Sequence, residues 1–276
     1  MVEKKTPVGK PADDFIRIQD LWSMFVPKWY WFAISLFITL TIAVLYLLST
    51  PPIYTRTAAI LVKDNSKSSS STSAMNDFSD LGIFKSNTNI NNELLTLKSP
   101  TLMTEVVNRL GLNETFTIRK GLKNVDLYKV SPVTITFCDK IEVPLSFTIK
   151  FSSKEAFAIS ELEISGEDIG ETLSAQMGDS IQTSAGIMIV SPTQEFTDVF
   201  IGTSIRYVRG SVRAAVDTYS NALVAELGNE DATIINLSIN DTSIRKAEDI
   251  LNTLIEVYNE NWIRDKNQIA VSSSQF

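Results

Sequence analysis

The chain of 276 residues is long enough for one or two domains with a sizeable core. Its 32 acidic and 25 basic residues give a net charge of −7, which disfavours nucleic-acid binding because phosphates require clustered Lys and Arg. The chain has no histidine and one cysteine, Cys138. Histidine bases, imidazole metal ligands, thiolate zinc sites and intrachain disulfides are therefore excluded. We expect no nucleic-acid partner and no cofactor.

A long uncharged segment near the N-terminus predicts a membrane span. It runs from Trp29 to Leu48, and a helix of these 20 residues covers the ~30 Å hydrocarbon layer of a bilayer. Aromatic residues lie near both ends, and Pro51 and Pro52 stop the helix. A cleaved signal peptide would have a shorter apolar stretch, and a buried core helix would carry a polar face. A transmembrane anchor is therefore the interpretation that fits best.

The orientation of this span follows only weakly from charge. Three basic residues lie within about 20 residues of the span on each side, so the positive-inside rule does not decide. Residues 1–28 carry five basic and four acidic side chains, whereas the remainder carries 20 and 28. This asymmetry favours a cytoplasmic N-terminus.

The first elements on either side of the span are marked by local signals. Residues 1–28 predict a polar tail and a helical lead-in, and residues 54–63 predict a strand. The serine-rich residues 64–80 predict a mobile loop. A short helix is predicted over 92–97. A second begins at the Ser99-Pro100 cap, buries Leu102, Val106 and Leu110, and ends at Gly111.

Strands and helices alternate in blocks over the rest of the chain. Strands are predicted at 133–137, 145–151, 187–191 and 232–239, and a helix at 211–227. Asp241 is predicted to cap a last helix that starts near Thr242 and continues to residue 276 without a Gly or Pro. This pattern predicts that the chain is the N-terminal portion of a longer protein, although a frayed natural end would look the same.

The predicted fold class is α+β. A single N-terminal transmembrane helix precedes an extracytoplasmic α+β base domain, and a long, truncated helix follows. The predicted boundaries are 1–28 for the tail and lead-in, 29–48 for the span, 52–241 for the base domain and 242–276 for the start of a long helix or coiled arm.

No catalytic motif occurs in the chain. Phosphate-binding glycine loops, dinucleotide-binding loops and nucleophile elbows are all absent from the sequence. Glu230 and Asp231 are typical of a solvated turn rather than a metal site, and Cys138 is interpreted as a packed or exposed thiol. Three matches to the glycosylation sequon, at Asn113, Asn236 and Asn240, are given little weight. The chain is predicted not to be an enzyme.

Four short motifs follow the span in a definite order. They are a Pro-x-Tyr pattern, an Asn-Glu-x-x-x-Leu-Lys-Ser pattern, a Tyr-x-x-Ser-Pro-Val step and an Ala-x-x-Ile-Leu-Asn-x-Leu-x-x-x-Tyr pattern. Their key positions are Pro52, Tyr54, Asn92, Glu93, Leu97, Ser99, Tyr128, Ser131, Pro132, Ala247, Asn252 and Tyr258.

In these motifs the chain resembles the chain-length determinant (Wzz-type) family, the polysaccharide co-polymerases of bacterial inner membranes, over residues 14–276. The resemblance implies a protein of the bacterial inner membrane with a cytoplasmic N-terminus and a periplasmic main domain. It also implies a ring-like homo-oligomer that works with a polysaccharide polymerase, the export machinery and membrane lipid. The last motif is most similar to members fused to a C-terminal tyrosine autokinase.

Three functions remain open at this point. The first is a non-catalytic scaffold that regulates the chain length or export of a bacterial surface polysaccharide, such as O-antigen, capsule or exopolysaccharide. The second is the anchoring and sensory part of a membrane tyrosine kinase of exopolysaccharide biosynthesis. The third is a generic single-pass adaptor ectodomain. Likeness of fold alone does not decide among them.

Overall fold

The computed structural model describes residues 26–62, 86–138, 143–228 and 234–274. It has the mixed α+β architecture that the sequence predicts, with one N-terminal apolar helix that could span a membrane. The chain divides into two compact units, Met1–Thr50 and Pro51–Phe276. The lead-in at 15–25, the serine-rich loop at 64–80 and the turn at Glu230 and Asp231 lie outside the described residues.

The described part of the chain contains five α-helices and thirteen strands. The helices are α1 (Trp29–Ser49), α2 (Ser86–Leu97), α3 (Pro100–Leu110), α4 (Val212–Ala222) and α5 (Ile244–Ser274). The strands are β1 (Tyr54–Leu61), β2 (Glu114–Lys120), β3 (Lys123–Asp126), β4 (Val133–Phe137), β5 (Leu145–Phe151), β6 (Ala156–Ile164), β7 (Glu167–Asp168), β8 (Leu173–Gln176), β9 (Ser180–Thr183), β10 (Gly186–Pro192), β11 (Ser204–Arg209), β12 (Leu223–Leu227) and β13 (Ile234–Asp241).

The helix of the first unit, α1, contains the predicted span and is longer by one residue. It is long and apolar enough to cross a membrane, and all its side chains are exposed in the isolated chain. Two of its hydroxyl groups are satisfied within the helix, because Thr39 and Thr41 donate hydrogen bonds to the carbonyls of Ser35 and Phe37, each at 2.8 Å. Such internal pairing is what a polar side chain requires in a hydrocarbon layer.

The second unit contains a helical layer on a three-stranded antiparallel sheet of order β1-β13-β12. Helix α5 packs on β1 and β13, and α3 packs between α4 and α5. Alternate residues of β13, Ile235, Leu237 and Ile239, face this layer and are buried, as the period of two in a strand dictates. With Leu254 of α5 and buried side chains of α3 they form the helical-layer core.

A β-sandwich lies between α3 and α4 in the chain, over residues 114–209. One sheet has seven strands, with β3-β2-β11-β5-β6-β7 in order and β8 paired to β6, and the other has the order β4-β10-β9. The inward side chains of both sheets share a second core, which includes the fully buried Phe147, Phe151 and Tyr207. The helical layer and the sandwich therefore each have a hydrophobic core of their own.

The sandwich begins and ends at the same place. Glu114 at the start of β2 pairs with Arg209 at the end of β11, and the Gly210 amide donates to the Asn113 carbonyl at 2.8 Å. The chain thus leaves and re-enters the helical layer through two adjacent residues. The sequence predicts strands in this region as part of one base domain over 52–241, whereas the structure places them in a sandwich with its own core.

Several predicted boundaries are confirmed, and two local predictions are wrong. Helix α3 has Ser99 as its N-cap and ends at Gly111, whose φ of 63° is left-handed. The helix predicted over 211–227 ends at Ala222, because the next five residues alternate in burial and pair with β13 as β12. Asp241 is not the N-cap of α5. It lies in β13, whereas Ser243 accepts the hydrogen bond from the Lys246 amide at 3.4 Å.

Candidate functional site

The two cores meet at the short segment that follows β3. Leu127 is buried in the sandwich core, whereas the next residue, Tyr128, packs against the helical-layer core. Residues 127–130 form a turn in which the Val130 amide donates to the Leu127 carbonyl at 2.9 Å, and this dipeptide thus enters both cores. We call the polar groups around this segment the junction cluster, which consists of Asp126, Tyr128, Lys129, Tyr219, Asp241, Lys246 and Asp249.

Lys246 at the start of α5 is the centre of the junction cluster. Its ammonium lies 2.6 Å from the Asp126 carboxylate and 3.3 Å from the Asp241 carboxylate, and the three side chains are only 8–11% exposed. Burial alone would lower the pKa of Lys246, but Tyr219 and the two carboxylates outweigh burial, so the pKa is raised. One buried cation thus joins β3 of the sandwich to β13 and α5 of the helical layer.

A second ion pair in the junction cluster has the opposite polarity between the two layers. The Lys129 ammonium, which follows the sandwich strand, lies 2.6 Å from the Asp249 carboxylate of α5. The Tyr128 hydroxyl is buried beside Asp249, and its pKa is raised first by burial and then by that carboxylate. The two reciprocal pairs hold residues 126–129 against the first turns of α5.

A cavity of about 560 Å³ opens beside the junction cluster. Aromatic side chains and cations line it together, among them Phe116, Tyr128, Tyr219, Arg245 and Lys246. No group of three His, Cys, Asp or Glu side chains that could hold a metal ion occurs among the described residues. The ion pairs of the junction cluster link the sandwich and the helical layer electrostatically.

A second polar contact joins two of the motifs singled out from the sequence. The Tyr258 hydroxyl of α5 donates to the Glu93 carboxylate of α2 at 2.7 Å, and Tyr258 is buried. The pKa of Tyr258 is raised, first by burial and then by Glu93, so the hydroxyl keeps its proton and remains a donor at neutral pH. Leu97 and Ala247, from the same two motifs, are fully buried in the helical-layer core.

An arginine fork joins α3 to α5 on the surface. Arg109 donates to both oxygens of Glu260, at 3.0 and 2.5 Å, and to Glu105 one turn earlier on α3. These hydrogen bonds raise the pKa of Arg109, the one to Glu260 most, and Arg109 in turn lowers the pKa of Glu260. A bidentate arginine–carboxylate pair fixes relative orientation more strongly than a single contact does.

Comparison with known protein families identifies the N-terminal part of this arrangement. Residues 14–110 match the model of the family Wzz, chain length determinant protein. We call residues 14–110, which are similar to this family, the Wzz segment. The match includes α1, β1, α2 and α3, so it covers the predicted span and the first part of the helical layer. A search of curated proteins finds no match to the chain.

The Wzz segment contains the first two predicted motifs. Pro52 lies just before β1 and Tyr54 begins it, whereas Asn92, Glu93 and Leu97 lie in α2, and Ser99 caps α3. Wzz proteins are non-catalytic chain length determinants that work in polysaccharide biosynthesis, and this chain has one apolar helix of the length that a membrane anchor requires. The assignment of specific roles to these residues stays a prediction.

The other two motifs lie outside the Wzz segment, so their resemblance stays a prediction. Tyr128 is in the junction cluster. Ser131 and Pro132 form a loop whose two carbonyls accept hydrogen bonds from Thr193, at 2.6 and 2.8 Å. Asn252 is exposed on α5, three turns from the partly exposed Trp262.

Sequence reasoning missed the charged residues that make the longest-range contacts. Asp126, Asp249 and Lys246 belong to no predicted motif, and neither does Arg109. Each has its partner in another element, and in three pairs the partner is more than a hundred positions away in the sequence. The local sequence offered one signal for the buried ion pair, namely that Lys246 lies near the start of an amphipathic helix. This arrangement is too common to indicate a buried pair.

The contact between the Wzz segment and α5 predicts the effect of removing one hydroxyl. Tyr258→Phe is expected to lower the unfolding free energy by about 1–2 kcal/mol, because a buried carboxylate contact loses its donor. Denaturant unfolding of the detergent-solubilised chain measures this. Tyr54→Phe is the matched control, since Tyr54 is 41% exposed and its loss should stay within about 0.5 kcal/mol. Equal losses in both variants would contradict the role of the Glu93 contact.

Proposed function

We propose that this chain is a non-catalytic membrane scaffold that sets the chain length of a bacterial surface polysaccharide, or supports its export. The observation that carries the proposal is the Wzz match over residues 14–110. That segment combines an apolar helix long enough to cross a membrane with the first strand and two helices of a packed layer. The glycan would be an O-antigen, a capsule or an exopolysaccharide.

The proposed setting is the bacterial inner membrane, with a cytoplasmic N-terminus and the second unit on the other side. A scaffold needs surfaces for its partners, and the helical layer offers apolar ones. Leu95 on α2 is 65% exposed and Ile263 on α5 is 53% exposed. We propose that the outer faces of α2 to α3 and of α5 are used in a ring-like homo-oligomer, and that polymerase and export proteins contact this assembly.

A genetic experiment tests the proposed function. Deletion of the gene is expected to change the length distribution or the yield of the surface polysaccharide on a gel, and the intact gene supplied in trans should restore it. The matched control is the deletion strain that carries the empty vector. An unchanged distribution and yield after deletion would exclude the proposal. A change confined to tyrosine phosphorylation would favour the kinase-anchoring alternative.

A further inference from the structure

The hairpin of β2 and β3 ends in a basic tip with an exposed leucine. Arg119, Lys120 and Lys123 surround the two-residue loop Gly121-Leu122, in which Gly121 has a φ of 64°. Glycine is favoured there because the first loop residue of such hairpins has a positive φ. Leu122 is 50% exposed, and the Arg119 guanidinium folds over the turn to donate to the Gly121 carbonyl at 3.3 Å. We call these five residues the basic tip.

The charges of the basic tip work against the stability of the hairpin. Lys120 and Lys123 are paired directly across the two strands, and like charges in that position repel. The residue opposite Arg119 is the neutral Asn124. Across the described ranges, no ion pair is recorded for any of the three cations. Residues that lower the local stability of a fold in this way are typical of a binding site.

The nearest acidic residue of the hairpin does not neutralise the tip. Asp126 ends β3, but its carboxylate is held at 2.6 Å by the buried Lys246. The basic tip is therefore a concentrated positive patch on a chain whose net charge is −7. A partner that is attracted to the tip must carry negative charge, because opposite charges attract. The rest of the protein repels such a partner, so the attraction acts at the tip.

The root of the hairpin lies where the chain enters the sheet of the helical layer. Lys246 binds Asp126 and Asp241 together, and Asp241 is the β-ladder partner of Tyr54, the first residue of β1. Tyr54 follows Ser49, the last residue of the apolar α1, by five positions in the sequence. The hairpin thus starts at the end of the sheet that is closest along the chain to the predicted span.

We propose that the basic tip docks onto the surface of an anionic lipid bilayer, on the side of the membrane where the second unit lies. The three cations would contact lipid phosphates, and Leu122 would enter the apolar edge of the headgroup region. An anionic glycan offers the same charge but no apolar layer, so an exposed leucine between cations favours lipid. This inference goes beyond the proposed function and does not require it.

The docking is tested with a fluorescent label at the tip of the full chain in lipid nanodiscs. Cys138 is the single cysteine, so Cys138→Ser followed by Leu122→Cys allows one environment-sensitive dye to be attached. The control label replaces Val199, which is 82% exposed in another turn beside Asp198. The readout is quenching of the dye by spin-labelled lipid, in discs with or without phosphatidylglycerol.

Quenching at position 122 is expected in phosphatidylglycerol discs and not in neutral discs, and quenching at position 199 in neither. Each of the changes Arg119→Gln, Lys120→Gln and Lys123→Gln should lower the docked-to-undocked ratio about five-fold, and added salt should lower it too. The single variants Lys98→Gln, Lys150→Gln and Arg213→Gln each have the same net charge as one tip variant and should dock normally.

Two outcomes would overturn the proposal. One is a label at position 122 that stays unquenched in anionic discs while the chain keeps its native circular dichroism spectrum. The other is a response of that label to an anionic polysaccharide in neutral discs, with none to phosphatidylglycerol, which would assign the tip to a glycan. The discs contain no polysaccharide synthesis, so neither outcome depends on whether the chain sets glycan length.

Discussion

Replacing Lys246 by methionine is expected to lower the unfolding free energy by about 3–5 kcal/mol, because the carboxylates of Asp126 and Asp241 then remain buried beside each other without a cation. Methionine keeps the length and the apolar stem of lysine, so the loss reports charge rather than volume. The pKa of Lys246 is raised in the folded state. Its stabilising effect is therefore fully present at neutral pH and is lost only as the pH rises through that raised value.

The measurement is denaturant unfolding of the solubilised chain, and two further variants make it specific. Arg245→Met removes the neighbouring cation, which is exposed, and should change stability by no more than about 0.5 kcal/mol. Adding Asp126→Asn and Asp241→Asn to Lys246→Met should recover most of the loss, since no buried charge is left unpaired. Failure of this triple variant to recover stability would mean that the junction cluster acts through packing and not through its charges.

Because the second unit has two cores, a mutation that creates a cavity in one core is expected to destabilise mainly that core. Phe147→Ala in the sandwich should cost about 3–5 kcal/mol, and Leu254→Ala in the helical layer about 2–5 kcal/mol, because both side chains are almost fully buried. Opening of one part of a protein can occur without opening of the rest. Phe147→Ala is thus expected to speed amide exchange within 114–209 while the amides of β13 and α5 exchange at nearly the original rate.

Hydrogen exchange read out by mass spectrometry checks this separation, and Leu254→Ala supplies the reciprocal case. In that variant the amides of β13 and α5 should exchange faster, whereas those of β5 and β11 should stay protected. The reason is that β2 and β11, which begin and end the sandwich, pair with each other. Uniform acceleration over both layers in either variant would show that the junction cluster makes the unit fully cooperative.

Local signals in the sequence were sufficient for most of the helices and for several of the apolar strands. The Ser99 cap and the Gly111 stop depend on residues within a turn of one another, and the structure confirms them. The apolar stretch at 29–48 forms a helix, whereas its passage through a membrane stays a prediction. The prediction of a helix over 211–227 was wrong because Leu223 continues the helical period by chance, whereas residues 223–227 pair with β13 as a strand. Tertiary pairing of this kind overrides local propensity.

The candidate sites were less accessible from sequence than the fold. Glu93, Tyr128 and Tyr258 were singled out through motifs, but nothing local indicated that Glu93 and Tyr258 would meet. The basic tip was not recognised either, because β2 and β3 are short and partly polar, and only their pairing places Lys120 opposite Lys123. Contacts between distant elements depend on topology, which one sequence does not specify.

The adjacent ends of the sandwich have an evolutionary consequence. Residues 113 and 210 are already bonded to each other, so a module of almost any size can be exchanged between them at little cost in chain entropy. The helical layer would keep its packing while the inserted module diverged. The Wzz match ends at residue 110, immediately before this point of exchange. A lineage could thus preserve the anchor and first helices and still acquire a different outer module.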